Sequence, residues 1–387
     1  MWLLEWVISH RRIAVPFASL AFVVLGALAA ANAGCSGSSA TSTSGPGDGS
    51  DAGQVGSDGG VGVDGSTPGT DGGVTRDGGG TVSDAAAGNL PPMTSAIKII
   101  VEPTDRAAAL ISAIQSATKS VHMTMYLLSN SSVISALIAQ KNAGHEVKVL
   151  LNKTFPQGQG SNTTSYNQLM SAGVNVQWAP PGFTLTHEKC IILDASSAWI
   201  MTMNTTQTSP IDNREYLAVD TDPADVAEAE AIFSADFANT SFTAAGNLVV
   251  APDNARGKLV ALVASAKSTV DMEAEELSDS TLVAAMAAVA DRGVNVRVVI
   301  AGTGSASQQQ AIALLKQHGA KLVVVTTPYM HAKSIVVDGA SAYVGSENFS
   351  TGSLSYNREL GVLTNTASEV AKVQATTSSD FASGTPL

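Results

Sequence analysis

Apolar positions along this chain fall into short runs separated by stretches with helical periodicity, and the series begins near Ile97. Residues 97–101 form an apolar run that predicts a strand. A helix that buries Leu110, Ile111 and Ile114 follows, then a strand over 121–127, an Ala-rich helix over 133–143 and a strand over 147–151. The same series returns later. Residues 98–151 align without gaps onto 247–300, so that Pro103 falls on Pro252, Met123 on Met272, Leu128-Ser129 on Leu277-Ser278 and Gly144 on Gly293. The second copy opens with a strand at 248–250 and a helix burying Leu259, Leu262 and Val263. A match this long, present only twice, excludes a solenoid. Strands alternating with helices predict parallel βαβ units, hence an α/β fold of two tandem α/β domains related by a pseudo-two-fold axis. A pocket is expected at their interface.

A motif repeats inside that frame. T-H-E-K-C-I-I-L-D supplies His187, Lys189 and Asp194, and M-H-A-K-S-I-V-V-D supplies His331, Lys333 and Asp338. At matching distances downstream stand Asn204 and Asn348, then the triplets Asn213-Arg214-Glu215 and Asn357-Arg358-Glu359. In each motif the apolar run reads as a strand entering a core, so His and Lys, two apart, project to the same side. An imidazole serves as nucleophile or as general acid and base, and a lysine holds an anion as a point charge. An Asn amide can donate to a phosphoryl oxygen. A Glu can accept from the ring nitrogen that does no chemistry, which fixes the tautomer and stabilises the imidazolium. Equal spacing pairs Glu215 with His187 and Glu359 with His331. Asp194 and Asp338, beyond the apolar runs, are expected to be structural, and Cys190 should point away from the pocket as a buried free thiol. No metal-ligand set stands out, so neither metal nor cofactor is expected.

H-x-K-x(4)-D followed by G-S-x-N and N-x-E resembles the phospholipase D superfamily, whose members include phospholipases, phosphatidyltransferases, nucleases and other phosphodiesterases. Gly345-Ser346-Glu347-Asn348 matches the G-S-x-N element, whereas the first copy reads Met201-Thr202-Met203-Asn204. The missing glycine is expected to narrow the approach to phosphate there. The resemblance covers nearly everything from Ile97 to the C-terminus. It implies two domains of phospholipase D type with the active site between them. It also implies a phosphohistidine on His187 with His331 as general acid and base. Lys189, Lys333, Asn204 and Asn348 would hold the phosphate oxygens, assisted by Thr202 and Ser346. One further difference separates the copies: Tyr126-Leu127 corresponds to Glu275-Glu276, with Glu273 two residues before. Glu273 and Glu275 are expected on one face at a strand end, either attracting a cationic head group or pairing with nearby Lys and Arg.

The N-terminus changes the picture of where the chain works. Arg11-Arg12 precede an apolar stretch to Ala31, and Ala31-Asn32-Ala33 fits a small-x-small cleavage site. Gly34-Cys35 resembles the end of a bacterial lipobox, which makes Cys35 a candidate for lipidation. Residues 1–35 are therefore read as a signal peptide or lipoprotein signal; the alternative is an uncleaved anchor, for which the run is marginal against the roughly 20 residues a span needs. Residues 36–92 are Gly, Ser, Thr, Asp and Ala with little to bury, a spacer. The first domain is expected at 93–242 and the second at 243–387. The chain is expected to be extracytoplasmic, secreted or lipid-anchored to a bacterial membrane, and monomeric, with both half-sites in one chain. Net charge is −12, without a Lys/Arg run, which weighs against a nucleic-acid partner. The leading expectation is a phospholipase D hydrolysing phospholipid at a membrane surface, with transfer to an alcohol as a variant. The alternatives are an exported nuclease and a degenerate phosphate-binding surface protein.

Overall fold

The computed structural model describes residues 90–156 and 160–387. The signal segment, Cys35 and the spacer up to residue 89 lie outside the described residues. The first half runs β1 (Ile97–Glu102), α1 (Ala108–Ser116), β2 (Ser120–Met125), α2 (Ser131–Asn142) and β3 (Glu146–Leu151). It continues through α3 (Thr163–Ser171), β4 (Asn175–Trp178), β5 (Lys189–Leu193), β6 (Ser197–Met201), α4 (Ser209–Asp212), β7 (Asn213–Asp220) and α5 (Pro223–Phe237). The second half repeats this with β8 (Val249–Ala251), α6 (Ala255–Ala264), β9 (Thr269–Ala274), α7 (Ser280–Asp291), β10 (Asn295–Ile300), α8 (Ala306–Gln317) and β11 (Lys321–Val324). It ends with β12 (Tyr329–Met330), β13 (Lys333–Val337), β14 (Ser341–Gly345), α9 (Thr351–Tyr356), β15 (Glu359–Thr364), α10 (Ala367–Ser383) and β16 (Thr385–Pro386). Both helices of the repeated αβ units start at side-chain caps: Asn130 accepts from the amides of Ser132 and Val133, and Asp279 from that of Leu282.

The expectation of parallel sheets holds only in part, because each half is a mixed sheet. The order is β1-β7-β6-β5-β2-β3-β4 in the first and β16-β11-β10-β9-β13-β14-β15-β8 in the second. The runs β2-β3-β4 and β9-β10-β11 are parallel, as is the short pairing of β12 with β7; the H-x-K strands β5 and β13 run antiparallel to β2 and β9. The reason lies just after each apolar run. Asp194 and Ala195, and likewise Asp338 and Gly339, have positive φ. That conformation folds the chain straight back into β6 and β14 as hairpins.

Three apolar clusters organise the interior. One joins α1 and α2 to the outer face of the first sheet through Leu110, Ile114, Leu137 and Ile191. The second does the same beneath α6, α7 and α8 with Leu259, Leu282, Leu315 and Ile335. The third is shared by both halves: Cys190, Ile192 and Ile200 of one sheet meet Val336, Val344 and Leu360 of the other, with Ile232 of α5 and Val370 of α10. An apolar core spanning the two halves makes them one body, and β5 alternates between this core and the outer one.

Candidate active site

Each H-x-K segment enters the site alongside the N-R-E segment of the other half. The amides of His187 and Glu188 both donate to the carbonyl of Arg358 at 2.9 Å, and the amide of Arg358 donates to that of Leu185. On the other side β12 pairs with the start of β7, Tyr329 beside Asn213 and Met330 beside Arg214. This interleaving decides which carboxylate meets which histidine. His187 Nδ1 lies 2.9 Å from both oxygens of Glu359, and His331 Nδ1 lies 2.7 Å from Glu215 Oε1. The same-half pairing expected from spacing is therefore corrected: the glutamates are exchanged between halves. Spacing could not reveal it, since the equal intervals from His187 to Glu215 and from His331 to Glu359 say nothing of how the two halves dock.

The two carboxylates are themselves held. Ser346 Oγ donates to Glu359 Oε2 at 2.7 Å, and Ser353 Oγ and Asn357 Nδ2 donate to Oε1 at 2.7 and 3.2 Å. Thr202 Oγ1 donates to Glu215 Oε2 at 2.5 Å, and Asn213 Nδ2 to Oε1 at 3.2 Å. Thr202 and Ser346, expected to assist at phosphate, here donate to the glutamates and hold the carboxylates in place. Burial raises the Glu359 carboxyl, but His187 beside it, with Lys189 and the Ser346 hydroxyl, outweighs burial and the net direction is down, so the carboxylate stays ionised. The glycine of G-S-x-N has a local explanation too. A Cβ on Gly345 would fall 2.3 Å from the Tyr343 hydroxyl and 2.6 Å from the Cα of Gly361. That glycine serves packing inside the second sheet, so its replacement by Met201 does not bear on phosphate as expected.

The lysines are buried beside their histidines, Lys189 Nζ donating to His187 O and Lys333 Nζ to His331 O, both at 2.7 Å. Asn204 and Asn348, in the turns after β6 and β14, are buried as well. Glu276 stands two residues past β9 and is half-buried. Burial first, then Glu275, lift its carboxyl to about 7, while Lys333 and His187 pull it down. It therefore lies within electrostatic reach of both halves. Asp194 and Asp338 sit at the far ends of their strands. Asp194 accepts from the amides of Thr118, Lys119 and Ser120, and Asp338 from those of Lys267, Ser268 and Thr269. Burial opposes ionisation of Asp194, yet these amides overcome it and bring the carboxyl down to about 2. These aspartates fasten the starts of β2 and β9. Cys190 is a buried free thiol facing the shared core.

A family model described as "Cardiolipin synthase, PLD-like domain" matches residues 110–237 and again 259–381. The chain belongs to the phospholipase D-like family. Its fold is that of two tandem phospholipase D-like domains, and the activity that goes with this membership is the handling of phosphodiesters. A phosphatidylserine synthase from Haemophilus influenzae superposes with a TM-score of 0.58 at 11% identity, covering 77% of this chain and 89% of that one. A polyphosphate kinase from Porphyromonas gingivalis gives 0.58 at 15% identity over 73% of this chain, which spans 46% of the kinase's length. Nuc from Salmonella typhimurium, a phospholipase D family member, is 24% identical over 36% of this chain and 95% of its own, with a TM-score of 0.35. At these identities the likenesses to the synthase and the kinase speak to fold alone. No curated protein sequence matches the chain.

Sequence reasoning missed the arginines' partners. Arg358 makes a two-pronged ion pair with Asp236 at the end of α5, and Arg214 with Asp380 near the end of α10. Each pair joins one half's N-R-E to the other half's last helix. A signal was present: Asp236-Phe237 and Asp380-Phe381 are themselves a repeat. The acidic pair of the second copy also separates. Glu273 accepts from Tyr216 Oη at 2.6 Å and Ser334 Oγ at 2.9 Å, whereas Glu275 accepts from Lys333 Nζ at 2.7 Å.

Proposed function

We propose that this protein is an exported phosphodiesterase that hydrolyses the head-group phosphodiester of phospholipids through a phosphohistidine. The observation that carries the reading is the exchanged pair of buried His–Glu contacts, each beside a buried lysine. With Nδ1 on a carboxylate, each ring turns Nε2 to chemistry. His187 Nε2 attacks phosphorus while the leaving alcohol takes a proton from His331. Water then gives a proton to His331 as its oxygen attacks phosphorus and His187 leaves. Lys189, Lys333, Asn204 and Asn348 hold the non-bridging oxygens, where positive charge does the work that other phosphodiesterases assign to metals.

Lipid is favoured over nucleic acid by the acidic balance of the chain and by two added carboxylates, Glu275 and Glu276, beside the site. Export rests on the N-terminal Arg11-Arg12 and the apolar stretch after them. The test incubates the whole protein with phosphatidylcholine vesicles and with single-stranded DNA, each in excess chelator. Release of choline with DNA intact is expected, at a rate that the chelator leaves unchanged. Cut DNA with intact lipid would make the chain a nuclease, and retention of phosphate without turnover would make it a binding protein.

A further inference from the structure

The two half-sites are not equivalent, and one of the differences lies directly beside the histidines at a single aligned position. In the first half it is Tyr126, whose ring meets that of His187 edge-on with centroids 4.4 Å apart and lies 5.0 Å from Lys189 Nζ. In the second half it is Glu275, one residue past β9 and almost fully buried. Its Oε2 stands 3.5 Å from His331 Nε2 and 2.7 Å from Lys333 Nζ, and Tyr329 Oη donates to its Oε1 at 3.2 Å. His331 thus has a carboxylate at each ring nitrogen, Glu215 at Nδ1 and Glu275 at Nε2.

We propose that Glu275 is a positioning residue that commits His331 to carrying the transferable proton, leaving His187 to attack phosphorus. The inference rests on the two-histidine phosphodiesterase reading and deepens it: near-identical motifs leave the roles interchangeable, and this one carboxylate separates them. A proton on Nε2 of His331 is stabilised by Glu275, so the lone pair needed for attack on phosphorus is occupied. At the corresponding position of the first half stands the ring of Tyr126, edge-on to that of His187, where no carboxylate charge is supplied. In the first step the N–P bond to His187 forms as the P–O bond breaks and the departing oxygen takes the His331 proton. In the second, water's proton returns to His331 as its oxygen displaces His187. The other charged or titratable groups facing His331 are Glu215 on β7, Lys333 on its own strand and Tyr329 on β12. Lys333 opposes protonation and the carboxylates favour it.

The test has a substrate-free arm and a kinetic arm on the whole protein. Proton NMR follows the His331 ring signal against pH in the wild type and in Glu275→Gln, an isosteric change that still accepts from Lys333. A charge at this range shifts a midpoint by about 1–3 units, so the His331 midpoint should fall by at least about one unit while that of His187 moves less. The basic limb of kcat/KM should fall by the same amount for an alkyl phosphodiester. For a p-nitrophenyl ester, whose leaving group needs no proton, it should stay in place. Glu275→Tyr, which copies the first half, should behave likewise if Glu275→Gln fails to fold. An unchanged His331 midpoint overturns the proposal whatever the substrate proves to be. A faster Glu275→Gln enzyme at neutral pH also overturns it, since the carboxylate would then merely compete with phosphate for Lys333. If the wild type turns over no phosphodiester, the functional reading fails while the NMR arm still decides the role of Glu275.

Discussion

Glu359 and Glu215 are chemically the same group at the same place in two copies, yet the exchange between halves gives them different tasks. On the proposed mechanism Glu359, in contact with His187, supports the attacking histidine and Glu215, in contact with His331, the proton donor. Glu359→Gln should therefore weaken formation of the phosphohistidine itself, by about 10²–10⁴-fold even with a p-nitrophenyl ester. Glu215→Gln should lose a similar factor with an alkyl ester and recover most of it with the p-nitrophenyl one. Burst-phase kinetics with both esters distinguishes them; the reverse pattern would restore same-half pairing or reverse the histidine roles. The sequence identified the histidines, lysines and glutamates because each has a chemistry that its neighbours share. It could not assign partners, because partnership depends on how two halves dock and not on distance along either.

Among the elements, the H-x-K strands were legible from their apolar runs, and Asp194 and Asp338 from their position past the strand's end. The hairpins that make the sheets mixed were not, because Asp-Ala and Asp-Gly read as turns without revealing which neighbour the returning strand joins. Helices α5 and α10 were also underread. They were not singled out in the sequence, and the acidic residue near each C-terminal end draws no attention until an arginine from the other half reaches it. Arg358 and Asp236 are both almost fully buried. Replacing Asp236 by Asn leaves a guanidinium inside the protein without its counter-charge, a change that costs about 3–5 kcal/mol. Urea denaturation should show the midpoint falling accordingly, whereas Asp380→Asn, at the more accessible pair with Arg214, should cost less. Equal effects would mean that burial does not govern these pairs.

At the scale of the whole molecule, the acidic composition acts through buried groups as well as through surface charge. Burial, reinforced by Asp236, pushes the Glu188 carboxyl to about 8, and burial likewise pushes that of Glu273 to about 8. Such groups bind a proton in the folded state that the unfolded chain releases near pH 4.5. Their stabilisation is full below that value and drains away as pH climbs to about 8, at up to roughly 1.4 kcal/mol per pH unit for each group. Tm should therefore drop between pH 5 and pH 8.5, and Glu273→Gln, whose amide oxygen can still accept from Tyr216 and Ser334, should flatten that drop. A Tm that is level or rising over this range would show that these carboxyls are charged in the folded protein. Two-fold organisation at this scale was legible because the repeat is long. The shared core was not, because either face of each β-strand could have been the one turned to the other half.

The difference between Tyr126 and Glu275 has an evolutionary corollary. Two separate copies of one gene product, meeting as a symmetric dimer, must place the same side chain at both equivalent positions. A carboxylate suited to a proton donor would then also burden the nucleophile, and an aromatic ring suited to the nucleophile would leave the donor unsupported. Joining the copies in one polypeptide removes that compromise. Each histidine can acquire surroundings fitted to its own half of the reaction cycle, so covalent fusion here is the condition for a division of labour that no symmetric assembly of identical chains could adopt.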